Sequence, residues 1–98
     1  MDEKKLRGLL GLCCRARQCV FGEDACLKAV RTQECAVLVL DGNASDNTRD
    51  KYRQACARAG IPLCEVPCSL LQEATGRSGV AAAIRPGGLA EQICGLLG

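Results

Sequence analysis

Apolar residues recur along this chain at two different spacings. Leu6, Leu9, Leu10 and Cys13 fall at i, i+3, i+4 and i+7, which is one stripe of a helix. Tyr52, Ala55, Cys56 and Ala59 repeat that stripe, and Leu89, Ile93, Leu96 and Leu97 give a last helix its face. Between the stripes lie short apolar runs. "AVLVL", Ala36 to Leu40, is continuously apolar and predicts a strand buried on both faces. "VAAAI", Val80 to Ile84, predicts another, of weaker strand propensity because of its alanines. "CVF", Cys19 to Phe21, reads as a very short strand and "PLCEV" as one more.

The punctuation between these segments is chemical. Asp2 and Glu3 precede the first helix and Arg15 and Arg17 close it, which suits the helix dipole. Gly22 makes the turn into a second helix that runs to about Arg31. "DGNASDNT" is a loop ending in capping residues, with Ser45 or Asp46 as N-cap of the next helix. Gly60 ends that helix, with Pro62 just beyond. Pro67 predicts the start of a short helix to about Thr75, and Gly76 and Gly79 bracket a polar turn. The order α-β-α-β-α-β-α-β-α predicts an α/β fold. It is expected as a three-layer α-β-α sandwich, a small mixed sheet of about four strands with helices on both faces. No repeat or linker interrupts the 98 residues, so one domain over 1–98 is expected.

Composition narrows the chemistry. Phe21 and Tyr52 are the only aromatics in a chain that is 48% hydrophobic, so the core must come from Leu, Val, Ile, Ala and Cys. No apolar run approaches the roughly 20 residues of a membrane helix, and "MDEKKLRG" lacks the order of a signal peptide. A soluble, cytoplasmic, monomeric protein without membrane contacts is expected. The nine cysteines are Cys13, Cys14, Cys19, Cys26, Cys35, Cys56, Cys64, Cys68 and Cys94. They are odd in number and irregular in spacing, form no C-x-x-C pair, and are accompanied by no histidine. That pattern argues against a metal site, a cofactor or a disulfide framework. It favours reduced thiols serving as small hydrophobes.

The net charge is only +2, so any affinity for nucleic acid must come from local clustering. "GEDACLKAVR", from Gly22, offers such a cluster. Gly22 permits close backbone approach at a helix start, where the first N–H groups are free to donate to phosphate or a base. Asp24 and Lys28 are four apart and share one helix face. Such a pair is also an ordinary solvated contact worth about 0.2–0.5 kcal/mol. Toward guanine it has a second use: the carboxylate accepts from Watson–Crick N–H groups, and the ammonium donates to O6 or N7. Proteins reach base edges this way mainly in irregular or unpaired RNA.

"GLLGLCCRARQCVFGEDACLKAVR", "AVLVLDGNASDNT", "GIPL", "LLQEATG" and "VAAAI" together resemble the kink-turn-binding ribosomal-protein family of the seven-Ae and thirty-e type. The likeness is nearest to its small bacterial, YlxQ-like branch. It covers nearly the whole chain and keeps the order of segments. It implies the same α-β-α sandwich and an RNA partner: a kink-turn gripped at its tandem sheared G·A pairs. The family signature is glycine, any residue, asparagine, glutamate, two residues, then lysine. By resemblance, Gly22 and Lys28 stand at its glycine and lysine. Asp24 stands in place of the asparagine and Ala25 in place of the glutamate, while Glu23 lies about 100° round the helix from Asp24. A second family element packs small apolar residues beside flipped-out bases. "LLQEATGRSGVAA" resembles it, with Leu71, Ala74 and Gly76 matching and Gln72 replacing a usual glycine. Arg77, Ser78 and Gly79 would then face the bulged strand, and Arg15, Arg17 and Arg31 are candidate phosphate contacts.

The resemblance thus implies a non-catalytic RNA-binding protein associated with the ribosome or translation. A ribosome-associated protein-interaction module of the same fold is the alternative, and Ala25 is the residue that favours it. An enzyme with a cysteine nucleophile is disfavoured. No histidine can activate the thiol, and Cys26 and Lys28, two apart, do not share a helix face.

Overall fold

The structure, a computed structural model, describes residues 2–97, with the Leu97 side chain outside the described set. Its elements run α1 (Glu3–Arg15), β1 (Cys19–Phe21), α2 (Glu23–Arg31), β2 (Val37–Asp41), α3 (Asp46–Ala59), β3 (Leu63–Val66), α4 (Leu70–Thr75), β4 (Ala81–Ile84) and α5 (Gly88–Leu97). The alternation expected from the hydrophobic pattern is present. The predicted Leu97 contribution to the face of α5 lies outside the described residues.

The strands form one mixed sheet in the order β1-β4-β2-β3. β4 pairs antiparallel with both β1 and β2, and β2 pairs parallel with β3. The continuous apolar runs are explained by burial on both faces. Val37 and Val39 of β2 enter the core beneath α1, α4 and α5, whereas Leu38 and Leu40 enter the core beneath α2 and α3. Ala82 and Ile84 of β4 divide from Ala81 and Ala83 in the same way. The small alanines suit a strand held between two neighbours and covered on both sides.

Of the two N-cap candidates for α3, Ser45 is the cap, accepting from Thr48 N–H at 3.2 Å, and Asp2, expected only to suit the dipole of α1, also caps it by accepting from Lys5 N–H. Gly60 adopts the left-handed conformation that ends α3. On α1, Gly11 allows a close approach, since a Cβ there would lie 3.1 Å from the Ala74 carbonyl oxygen of α4.

The start of α4 differs from expectation. The helix begins at Leu70 rather than Pro67, after a turn in which Ser69 takes φ 68°. The reason is Asp41, the last residue of β2 and 2% exposed. Its Oδ1 accepts from the backbone N–H of Asn43 at 2.9 Å and of Ser69 at 3.0 Å, and its Oδ2 accepts from Leu71 N–H at 3.2 Å. The cap of α4 is therefore supplied from across the fold, and it sets the helix start three residues late.

All nine cysteines are free thiols. Cys13, Cys26, Cys35, Cys56 and Cys64 are buried, and Cys68 is exposed. Burial pushes the thiols of Cys26, Cys56 and Cys64 up, and that of Cys35 up to about 11. Among the described residues, no helix is long and apolar enough to cross a membrane.

Candidate nucleic-acid interface

The antiparallel register sets Phe21 of β1 opposite Ala82 of β4. The chain leaving β1 into α2 therefore lies beside the chain entering β4. This brings Gly22 next to the α4–β4 connection, residues 76–80, although more than fifty residues separate them in sequence.

Gly22 sits at φ 96°, ψ 138°, a conformation that side chains with a Cβ rarely adopt. The space around it is open, so backbone geometry and not crowding demands glycine. The first bond within α2 runs from Cys26 N–H to the Gly22 carbonyl at 2.9 Å. The N–H groups of Glu23, Asp24 and Ala25 thus have no partner within the helix and point out of its start.

The side chains divide by helix face. Cys26, Ala29 and Val30 are buried against the sheet. Asp24, Ala25 and Lys28 are exposed. Neither Asp24 nor Lys28 enters an ion pair among the described residues, so the pairing open to them at this spacing is not formed. Glu23 points elsewhere: its Oε1 accepts from Lys51 Nζ of α3 at 2.7 Å. That bond raises the Lys51 pKa. Glu23 thus ties α2 to α3.

The α4–β4 connection completes the surface. Gly76, at φ 71°, ends α4, and Gly79 takes φ 150°. Between them the Arg77 guanidinium lies over the Phe21 ring, 4.6 Å from its centroid, a cation–π contact that pins the loop to the end of β1. A shallow pocket of about 230 Å³ is lined by Gly22 and Glu23, by Ser78 and Gly79, and by Thr48 and Tyr52 of α3. Sequence reasoning missed the α3 contribution. Thr48 and Tyr52 share a helix face at i, i+4, but nothing local shows that this face meets the α2 start. Beneath the pocket Tyr52 is 1% exposed and Cys26 Sγ donates to the Val20 carbonyl at 3.1 Å, and burial pushes both groups' pKa values up.

Gly22, Glu23, Arg77, Ser78 and Gly79 are thus gathered at one end of the sheet, with Asp24 and Ala25 in the first turn of α2 and Lys28 one turn further along it. Arg15 and Arg17 are not. They precede β1 at its opposite end, where Gln18 O accepts from Arg85 N–H at 2.8 Å. Arg31 lies at the far end of α2, lining a groove between α2 and α3.

The sequence model of the ribosomal protein L7Ae/L30e/S12e/Gadd45 family matches residues 4–92. This chain belongs to that family. It is 33% identical over 91 residues to the RNA-binding protein YlxQ of Bacillus subtilis, covering 91% of each chain. Among solved structures it is similar to a protein of unknown function from Bacillus halodurans, with TM-score 0.89, 29% identity and coverage of 95% of this chain and 96% of that one. The fold is also that of the 15.5 kD RNA binding protein of Giardia lamblia, at TM-score 0.78 and 17% identity over 98% of this chain and 88% of that one. The curated relative is named for RNA binding and not for an enzymatic activity. The family match spans both halves of the candidate interface, the α2 start and the α4–β4 connection.

Proposed function

We propose that this protein is a non-catalytic, monomeric RNA-binding protein that recognises kink-turn or kink-like internal loops through their sheared G·A pairs. The observation that carries the reading is the convergence of the α2 start and the α4–β4 connection on one surface. Membership of a ribosomal-protein family supports it and points to an RNA of the ribosome or of translation.

Each part has a task that its chemistry suits. Asp24 accepts from the N–H groups of a guanine, and Lys28 donates to O6 or N7. The unpartnered N–H groups of residues 23–25 receive a phosphate oxygen. Ser78 and Gly79 present backbone and a small hydroxyl to the bulged strand. Binding favours the bent RNA, because only that form offers base edges and phosphates together. A gel shift comparing a kink-turn duplex with a control whose G·A pairs are disrupted tests this reading, and equal affinity for the two would overturn it.

Two substitutions probe individual contacts. Lys28→Ala should weaken binding to the kink-turn by about 1–3 kcal/mol while leaving the melting temperature unchanged, because the side chain is exposed. Wild-type affinity in that variant would remove Lys28 from the interface.

Ala25→Glu tests the departure from the family signature. The side chain is exposed at the first turn of α2, so the substitution disturbs no packing, and an acid there suits the helix dipole. A new acceptor for guanine should tighten binding by about 0.5–1.5 kcal/mol, a charge-assisted bond partly offset by repulsion from nearby phosphates. The gain should vanish on the G·A-disrupted control, because phosphate contacts carry no sequence information. A loss on both RNAs alike would mean that this position faces phosphate.

A further inference from the structure

The RNA reading leaves most of a second concavity unused. α2 and α3 cover the same face of the sheet, and a groove of about 630 Å³ runs between them. Its floor is made by Leu27, Ala55 and Ala59, all partly exposed. Ala55 and Ala59 are one turn apart on α3, so methyl groups stand where larger side chains would close the gap. Both ends are tied: Lys51 bonds Glu23 at the α2 start, and Gln33 Nε2 donates to the Ala59 carbonyl at 3.1 Å at the other end.

Charge is graded along this groove. Asp24 and the neutralised Lys51–Glu23 pair mark the end near the RNA candidate interface. Arg31 and Arg58 mark the far end, and neither has an ion-pair partner among the described residues. Two guanidinium groups thus flank an apolar floor with no acid among the described residues within ion-pairing distance of them.

We propose that this groove docks an acidic amphipathic helix of a protein partner. Its apolar side chains rest on Leu27, Ala55 and Ala59, and its carboxylates engage Arg31 and Arg58, whose planar forks suit bidentate pairing. The nine residues of α2 span about 13 Å, so the groove receives between two and three turns of such a helix. A nucleic-acid backbone is the poorer occupant, because it brings phosphates but nothing apolar to cover the floor. A helix with one acidic and one apolar face satisfies both.

The test uses the whole chain and a fluorescein-labelled synthetic helix of about twelve residues, with leucines at i, i+4 flanked by glutamates. Saturable binding is expected, with amide shift changes in NMR spectra confined to α2, α3 and Gln33. A scrambled peptide of identical composition should not bind. Arg58→Glu should weaken binding about tenfold, and Ala55→Leu, which fills the floor, should weaken it comparably. Neither residue belongs to the RNA candidate interface, so both variants should shift kink-turn RNA as the parent does, which separates this proposal from the RNA reading. Equal binding of the scrambled peptide, or no effect of either variant, overturns the proposal. So does displacement of the helix by a plain RNA duplex whose own binding is lost in Arg58→Glu, since the groove would then follow an RNA backbone.

Discussion

Asp41→Ala is expected to lower the unfolding free energy by about 3–5 kcal/mol, a large part of what a domain of this size has. The carboxylate is 2% exposed and accepts three backbone N–H groups, from Asn43, Ser69 and Leu71. Alanine removes the acceptor of all three, and the Leu71 N–H is then left unpaired in a buried site. The damage should spread to function. α4 has six residues, far below the length at which a helix holds itself in water, so its start depends on this acceptor. The α4–β4 connection with Arg77, Ser78 and Gly79 hangs from the other end of that helix. Asp41→Asn should cost less. The amide oxygen can keep the Asn43 and Ser69 bonds, while its NH₂ group confronts the Leu71 N–H. Urea titrations of the three proteins, read as midpoints at constant slope, decide the matter. A loss under about 1 kcal/mol for the alanine variant would mean that α4 is held by its apolar contacts alone.

Stability is also expected to fall steeply at alkaline pH. Burial raises the folded-state pKa of Cys26, Cys35, Cys56 and Cys64 above the ordinary thiol value, and that of Cys35 reaches about 11. In the unfolded chain these thiols ionise near pH 8.5. Below that pH both states hold the proton and the contribution is fully present. Above it the unfolded state loses protons that the folded state keeps, and stability declines until the folded pKa is passed. Each group adds a slope of up to about 1.4 kcal/mol per pH unit, so Cys35 alone gives up about 3 kcal/mol by pH 11. Tyr52, also pushed up by burial, adds to the upper end of that range. Urea midpoints from pH 8 to 10.5 should show the fall, and Cys35→Ala should remove one thiol's share of the slope. At pH 8 a disulfide reagent should reach Cys68 first, since the other eight cysteines are buried or half-buried. A midpoint independent of pH through this range, or stoichiometric zinc in the purified protein, would contradict neutral packing thiols.

The α2–α3 groove and the candidate RNA interface meet at Asp24. One chain can therefore present RNA-facing and protein-facing surfaces side by side. The two readings make separate demands, since Lys28 and Ala25 serve only the first and Arg58 and Ala55 only the second.

Much of this was legible before any coordinates. The i, i+3, i+4, i+7 stripes located α1 and α3, and the apolar face begun by Leu89 and Ile93 located α5, because a helix must turn one face to the core whatever lies there. The unbroken run Ala36–Leu40 announced a strand covered on both sides, and the alternation of Val37 to Leu40 between two cores is the direct consequence. The pair Ser45 and Asp46 at one end and Gly60 at the other marked the ends of α3, because caps act within a few residues of the backbone they satisfy, and the structure makes Ser45 the cap. Gly22, Asp24 and Lys28 were legible as a cluster for the same reason: helix spacing places them without help from the rest of the fold. What tertiary structure decided lies at long sequence separation. The strand order placed β4 between β1 and β2, and so carried Arg77 onto Phe21 and Ser78 and Gly79 beside Gly22. It left Arg15 and Arg17 at the other end of β1, and it gave Glu23 to Lys51, 28 residues on. It also made Asp41 the cap of a helix 30 residues away. Periodicity and capping are set by the backbone over one or two turns. Which strand lies beside which is set by burial summed over the whole chain, and no fixed offset in the sequence records it.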